Sequence, residues 1–110
     1  MKVMVAGSRG IDNINIDQYM PADMTMLISG GARGIDTLAE KYADRMNIPK
    51  TIIRPDYPRY GKRAPLVRNR EMVEMADLVV LIWDGKSHGT GYTLDYAIKC
   101  NKHIKLNYIE

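Results

Sequence analysis

The chain has no phenylalanine, one tryptophan, one cysteine and two histidines among its 110 residues. Each scarcity closes off a class of explanation. A lone cysteine, Cys100, cannot staple the fold, and no cysteine and histidine grouping has metal-ligand spacing, so neither a disulfide nor a metal site is expected. No apolar run approaches the ~20 residues that a membrane-spanning helix needs. The N-terminal run Val3-Met4-Val5-Ala6 stops at Gly7, too early for a secretory signal. A cytoplasmic protein with no membrane partner is therefore expected. There is no internal repeat or low-complexity segment, and in the absence of phenylalanine the eight methionines read as adaptable core filler.

What the chain does have is glycine at the ends of apolar runs. The stretch Leu27 to Thr37, LISGGARGIDT, passes from an apolar run through Ser29-Gly30-Gly31-Ala32-Arg33-Gly34 into a strongly periodic pattern that starts at Ile35. That is a strand, a glycine turn and a helix start. Glycines let the backbone approach a ligand closely, and the first helical turn offers unpaired N–H groups and partial positive charge, so such a corner suits an anion. The spacing nearly reproduces the dinucleotide fingerprint G-x-G-x-x-G, with Ser29 in the first glycine slot and Gly31 and Gly34 in the others. It follows the second strand rather than the first, however, and Arg54 stands near where an acidic ribose ligand would be sought. A dehydrogenase is excluded on both counts.

The remaining elements fall into alternation. Lys2–Ala6 reads as a strand closed by Gly7-Ser8-Arg9-Gly10, and Asn13 or Asn15 caps a short helix towards Met20 that Pro21 ends. Met24–Ile28 is the second strand. In the helix after it, Ile35, Leu38, Ala39, Tyr42, Ala43 and Met46 share one face. Lys50–Ile53 is a third strand, and Arg54–Ala64, with Pro55, Pro58 and Gly61, reads as an irregular loop. A helix from Pro65 carries Leu66, Asn69, Val73 and Ala76 on one face. Leu78–Trp83 is the central strand, followed by Asp84-Gly85-Lys86-Ser87-His88-Gly89-Thr90-Gly91 and a helix with Leu94, Ala97 and Ile98 inward. An edge strand closes the chain with Ile104, Leu106 and Tyr108. The fold class expected is α/β: a single Rossmann-like domain over residues 1–110, a doubly wound five-stranded parallel sheet in the order 3-2-1-4-5 with helices on both faces. Strands one and four then meet where the winding reverses, and three glycine corners converge on the crevice at their carboxyl ends.

Net charge is +3, and its distribution matters more than its size. Residues 54–71 hold six basic side chains against Asp56 and Glu71, which leaves the rest about neutral. A local basic patch suits a phosphate-bearing ligand or nucleic acid. The candidate ligand-binding residues are Gly7, Ser8 and Arg9 from the first corner, with Ser29, Gly30, Gly31, Arg33, Gly34 and Asp36 from the second. Arg68 and Asn69 come from the third helix, and Asp84, Gly85, Ser87, Gly89 and Thr90 from the last corner. Arginine presents a fork matched to phosphate oxygens, and Thr90 and its flanking glycines offer donors at a helix start. Asp36 in a first helical turn is stabilised by the helix dipole and can accept from a ribose hydroxyl.

The motifs GSR, SGGARGID, RNREM and WDGKSHGT, in that order, resemble the SLOG superfamily of Rossmann-like domains, and within it the compact YspA/YpsA-related branch. That resemblance spans nearly the whole chain and implies binding of a nucleotide-derived small molecule with no established reaction and no cofactor. Two related groups supply alternatives. Arg68-Asn69 with Met72, and Gly89-Thr90, are similar to motifs of the LOG phosphoribohydrolases, whose glutamate slot falls on Thr93 here. Threonine cannot stabilise an oxocarbenium ion, and Asp95 lies about 200° further round the helix. Residues 29–36 are also similar to a segment of DprA, which binds single-stranded DNA. Tyr57 and Tyr60 would be its stacking platforms, although +3 is modest for non-specific DNA binding. Binding rather than catalysis is expected, and a homo-oligomer fits a small α/β domain.

Overall fold

A computed structural model describes residues 1–109. Five parallel strands, β1 (Lys2–Gly7), β2 (Met26–Ser29), β3 (Lys50–Ile52), β4 (Leu78–Trp83) and β5 (His103–Tyr108), form one sheet in the order β3-β2-β1-β4-β5. This is the doubly wound order anticipated from the alternation of elements. β1 lies between β2 and β4, with Val3 opposite Leu27 and Leu78, and Gly7 opposite Ile82. Three helices, α1 (Ile35–Arg45), α3 (Ala64–Met75) and α4 (His88–Lys99), cover the faces, and a one-turn helix, α2 (Tyr57–Tyr60), precedes α3.

Strands covered on both sides need apolar residues at every position, and β1 and β4 supply them. Val3, Met4 and Val5 are wholly buried, as are Val79, Val80, Leu81 and Ile82. The pleat sends alternate residues to opposite layers. Val3, Val5, Val80 and Ile82 meet Ile35, Ala39, Tyr42 and Ala43 of α1. Met4, Val79 and Leu81 meet Met72 and Val73 of α3, Ala76 just past its end, and Ala97 of α4. Methionine fills both layers: Met20 and Met24 close the first, Met4 and Met72 the second.

Several local expectations change. The short helix near residue 16 is a single 3-10 turn, Ile16–Tyr19, with Asn15 accepting from the Asp17 amide at 3.3 Å. Only five residues separate that cap from Pro21, too few for α-helical pairing to establish itself. β2 starts at Met26 rather than Met24 and extends to Ser29, and β3 ends at Ile52, although Ile53 still donates to the Ser29 carbonyl. The stretch expected to be irregular, Arg54–Ala64, contains α2, capped by Asp56 accepting from the Arg59 amide at 3.2 Å, and a 3-10 turn that runs into α3.

The buried stripe of α3 is Ala64, Arg68, Met72 and Val73, rotated from the expected Leu66–Asn69–Val73 face. In α4 Thr90, Thr93 and Ala97 are buried and Leu94 packs against the second layer as expected, while Ile98 is 58% exposed. Both shifts have one origin. Arg68, Thr90 and Thr93 are polar side chains buried at the carboxyl end of the sheet, and a hydrophobic pattern cannot register them.

Candidate functional site

All three glycine corners contribute to the wall of one cavity of about 80 Å³ at the carboxyl ends of β1 and β4. Gly7 and Arg9 come from the first, Ala32 and Asp36 from the second, and Ser87, Gly89 and Thr90 from the third. Arg68, Asn69 and Met72 of α3 close it, with Thr93 one turn beyond Thr90. This is the switch point at which ligands enter doubly wound sheets.

Glycine at the first two corners serves backbone packing. A methyl on Gly7 would fall 2.3 Å from the Ile82 carbonyl and 2.7 Å from Ile35, so its absence lets α1 sit directly on the sheet. Gly34, with φ +76°, would place a methyl 2.4 Å from the Arg9 carbonyl. Ser8 is 1% exposed and ties the corners together: its amide donates to the Ile82 carbonyl, and its hydroxyl accepts from the Asp84 amide at 3.1 Å. Asp84 in turn accepts from the amides of Lys86 and Ser87, which hold its carboxyl below the usual range. Ser8, Ser29, Gly34 and Asp84 line neither this cavity nor the groove beside it, and Gly85, at φ +79°, packs against Tyr108.

The second corner spends much of its donor capacity internally. Gly31 donates to the Ser29 hydroxyl, which itself donates to Glu40 at 2.7 Å, and the Ala32 amide donates to the Asp36 carboxylate at 3.1 Å. Asp36 thus occupies the place an external anion would take at the start of α1. Asp36 is 7% exposed, and burial raises its pKa, opposed by the Ala32 amide and by Arg68.

Arg68 dominates the electrostatics. The residue is buried, at 6% exposed. Nη1 donates to the Gly30 carbonyl at 2.5 Å and reaches the Ile53 carbonyl at 3.4 Å, while Nε donates to Asn69 Oδ1 at 2.8 Å. Nη2 makes no hydrogen bond among the described residues. The ion pairs among those residues are Arg45–Asp17 and Lys50–Asp44, so Arg68 has no carboxylate within 4.0 Å. Gly30 makes room for it, because a methyl there would lie 2.5 Å from Nη1 and 3.1 Å from Asp36 Oδ2. Burial lowers the guanidinium's pKa, with Asp36 opposing the shift. The nearby Asp36 offsets this charge without forming a direct ion pair, and a ligand phosphate in the cavity would add to that compensation.

The third corner presents the open amides. The first intrahelical bond of α4 runs from Gly91 to the Ser87 carbonyl, so the preceding amides have no helical partner. Ser87 gives them no side-chain cap; its hydroxyl lies 3.4 Å from that of Thr90. Gly89 has nothing within 4 Å of a notional methyl. Thr93 donates to the Gly89 carbonyl at 2.9 Å, fixing this turn.

Two depressions adjoin the cavity on opposite sides. One, of about 300 Å³, is walled by Arg9, Gly30, Gly31, Arg33, Arg54 and Arg68. The other, of about 530 Å³, is lined by Leu66, Trp83, His88, Tyr92 and Asp95, with Gly85 at its edge. Arg54 is the groove residue the candidate set missed. Its signal in the sequence was its place two residues past the third strand, the same relation Arg9 bears to the first.

No protein-family model matches the sequence. The chain is 34% identical over 80 residues to the gene 61 protein of Mycobacterium phage D29, an alignment covering 67% of this chain and 64% of the phage protein. Among solved structures it superposes on DNA processing protein A (DprA) from Streptococcus pneumoniae with a TM-score of 0.76, over 96% of this chain and 49% of that one, at 20% identity. The chain therefore spans under two thirds of the phage protein and about half of DprA. The fold is shared with DprA: an α/β Rossmann-like sheet. No helix among the described residues is long and apolar enough to cross a membrane.

Proposed function

We propose that the chain binds a nucleotide or a nucleotide-derived phosphorylated molecule in the switch-point cavity, as a compact SLOG-type domain of the YspA/YpsA-related kind. The observation that carries this is Arg68, a buried cation with a free Nη2 and no carboxylate in contact, beside the uncapped amides at Gly89 and Thr90. A phosphate there pairs directly with the guanidinium, which Asp36 offsets only at a distance, and accepts from the helix start; charge-assisted bonds of this kind are the strong ones. Asp36 and Asn69, on the same wall, suit the hydroxyls of a sugar. The reading is tested by thermal denaturation with a panel of nucleoside monophosphates. At least one is expected to raise the midpoint without being consumed, and Arg68→Ala to abolish the rise.

Glycosidic cleavage finds less support. The glutamate slot holds Thr93, which is 1% exposed with its hydroxyl donated to Gly89, and the carboxylate on the cavity wall is Asp36, already accepting from Ala32. No free base is expected from any nucleoside monophosphate. A second reading, single-stranded nucleic acid, is favoured by one feature. The arginine groove continues past Arg54 into a depression of about 270 Å³ with Arg59 and Tyr60, lined also by Asp56 and Glu71, and the fold is that of a DNA processing protein. It requires a salt-sensitive shift with short single strands.

A further inference from the structure

Resting on the nucleotide reading above, we infer that the site is polar along its length and takes a nucleotide with two or more phosphates. The base end lies over Trp83 and Tyr92, and the phosphate chain runs past Arg9 and Arg68 towards Arg33 and Arg54.

The cavity shares Leu66, Ser87 and Gly89 with the depression on one side, and Arg9, Ala32 and Arg68 with the groove on the other. The two flanks share no residue. A ligand seated in the cavity by its sugar and first phosphate must therefore leave by one flank or both, and the flanks differ in chemistry. The groove holds Arg9, Arg33, Arg54 and Arg68 with no carboxylate in its lining. None of the four forms an ion pair among the described residues. Arg54 reaches the Gly31 carbonyl only at 3.4 Å, and its fork has donors to spare. Four unpaired guanidinium groups with no aromatic surface between them suit several phosphates and offer a base nothing to stack on.

The opposite flank is the reverse. Trp83, Tyr92 and Leu66 give it apolar and aromatic surface, and Asp95 gives it an acceptor for ring N–H groups. Trp83 is held in place, its Nε1 donating to the Ser87 carbonyl at 2.9 Å and its ring edge-on to Tyr108. Lys86 and Asp95 in this lining offset one another, which leaves the rings as its distinguishing feature, and rings attract a base. The groove thus favours the phosphate chain and the opposite flank the base.

The test is a titration series of one nucleoside as free nucleoside, mono-, di- and triphosphate, with inorganic tripolyphosphate alongside, followed by calorimetry and by the emission of Trp83, the only tryptophan. Affinity is expected to rise at least about tenfold from mono- to triphosphate, which corresponds to about 1.4 kcal/mol. Arg54→Ala should remove most of that rise and leave the monophosphate within about twofold. Arg70→Ala, which removes an equal charge outside the groove, should leave the rise intact. Nucleotides should quench Trp83, and tripolyphosphate should bind without doing so. Equal affinity along the series, an equal loss from Arg54→Ala and Arg70→Ala, or quenching by tripolyphosphate overturns the polarity while leaving the nucleotide reading in place. No binding by any member of the series overturns both.

Discussion

Gly89→Ala separates a glycine kept for the fold from one kept for a ligand. A methyl at this position meets nothing within 4 Å, and the residue sits in the first turn of α4 with no positive φ. The fold itself therefore has no objection to alanine. Glycine costs a helix interior about 0.8–1 kcal/mol relative to alanine, and rather less at the first turn, so a gain of ~0.5 kcal/mol is expected. With an unfolding entropy of ~2.1 cal/mol/K per residue, that raises the midpoint of this chain by ~2 °C. Binding should move the other way. The methyl enters the open space where a phosphate must approach the amides, and loss of a charged hydrogen bond of ~2 kcal/mol weakens affinity about 30-fold. At a ligand concentration of ~100 times the wild-type Kd, the stabilisation falls from ~2.7 to ~0.8 kcal/mol, or from a shift of ~12 °C to one of ~4 °C. Paired thermal melts of both proteins, with and without the tightest nucleotide, read both effects. A free variant that melts several degrees lower, or a ligand shift that survives intact, would refute the reasoning.

Gly34→Ala is the opposite case: with φ +76° and a methyl 2.4 Å from the Arg9 carbonyl, it should cost about 2–5 kcal/mol in urea denaturation, and a change under ~0.5 kcal/mol would contradict the packing described. Arg68→Met loses the bond to Gly30 and relieves a buried charge, so free stability should change by no more than about 2 kcal/mol while the nucleotide-induced shift disappears; a retained shift would remove Arg68 from the site. Burial raises the Asp36 pKa above its ordinary 3.8, so the folded protein holds that proton to higher pH than the unfolded chain. Its contribution to stability consequently falls as pH rises from 3.8 through the raised value. Asp36→Asn should flatten that fall and be more stable than the parent at pH 7, as read from urea midpoints across pH; a variant that is less stable there would mean the carboxylate is satisfied by its partners.

The sheet was legible because its signal is redundant. β1 and β4 are apolar runs, the first ended by Gly7 and the second by Asp84-Gly85, and their length, their composition and the turns after them agree. The convergence of the corners followed from topology, since the order 3-2-1-4-5 leaves the loops after β1 and β4 adjacent. The interior of the site was less legible. Arg68 was legible as a phosphate candidate, but only the fold shows that it is buried and that Gly30 vacates the volume it fills. The return of Asp36 onto the Ala32 amide likewise depends on the path of one turn. The helical turn at Tyr57–Tyr60 was hidden by Pro55 before it and Pro58 within its first turn, although Asp56 is an ordinary cap.

The central claim is that Arg68 and the start of α4 hold a phosphate between them. It is tested most directly by a titration of the isotopically labelled protein with a nucleoside monophosphate, followed in amide and arginine side-chain nitrogen–proton spectra. The account predicts saturable shifts centred on Gly89, Thr90 and the Arg68 guanidinium, with the parent nucleoside giving much weaker ones. Shifts that spare these three groups, or that are equal for the nucleoside without its phosphate, would contradict it.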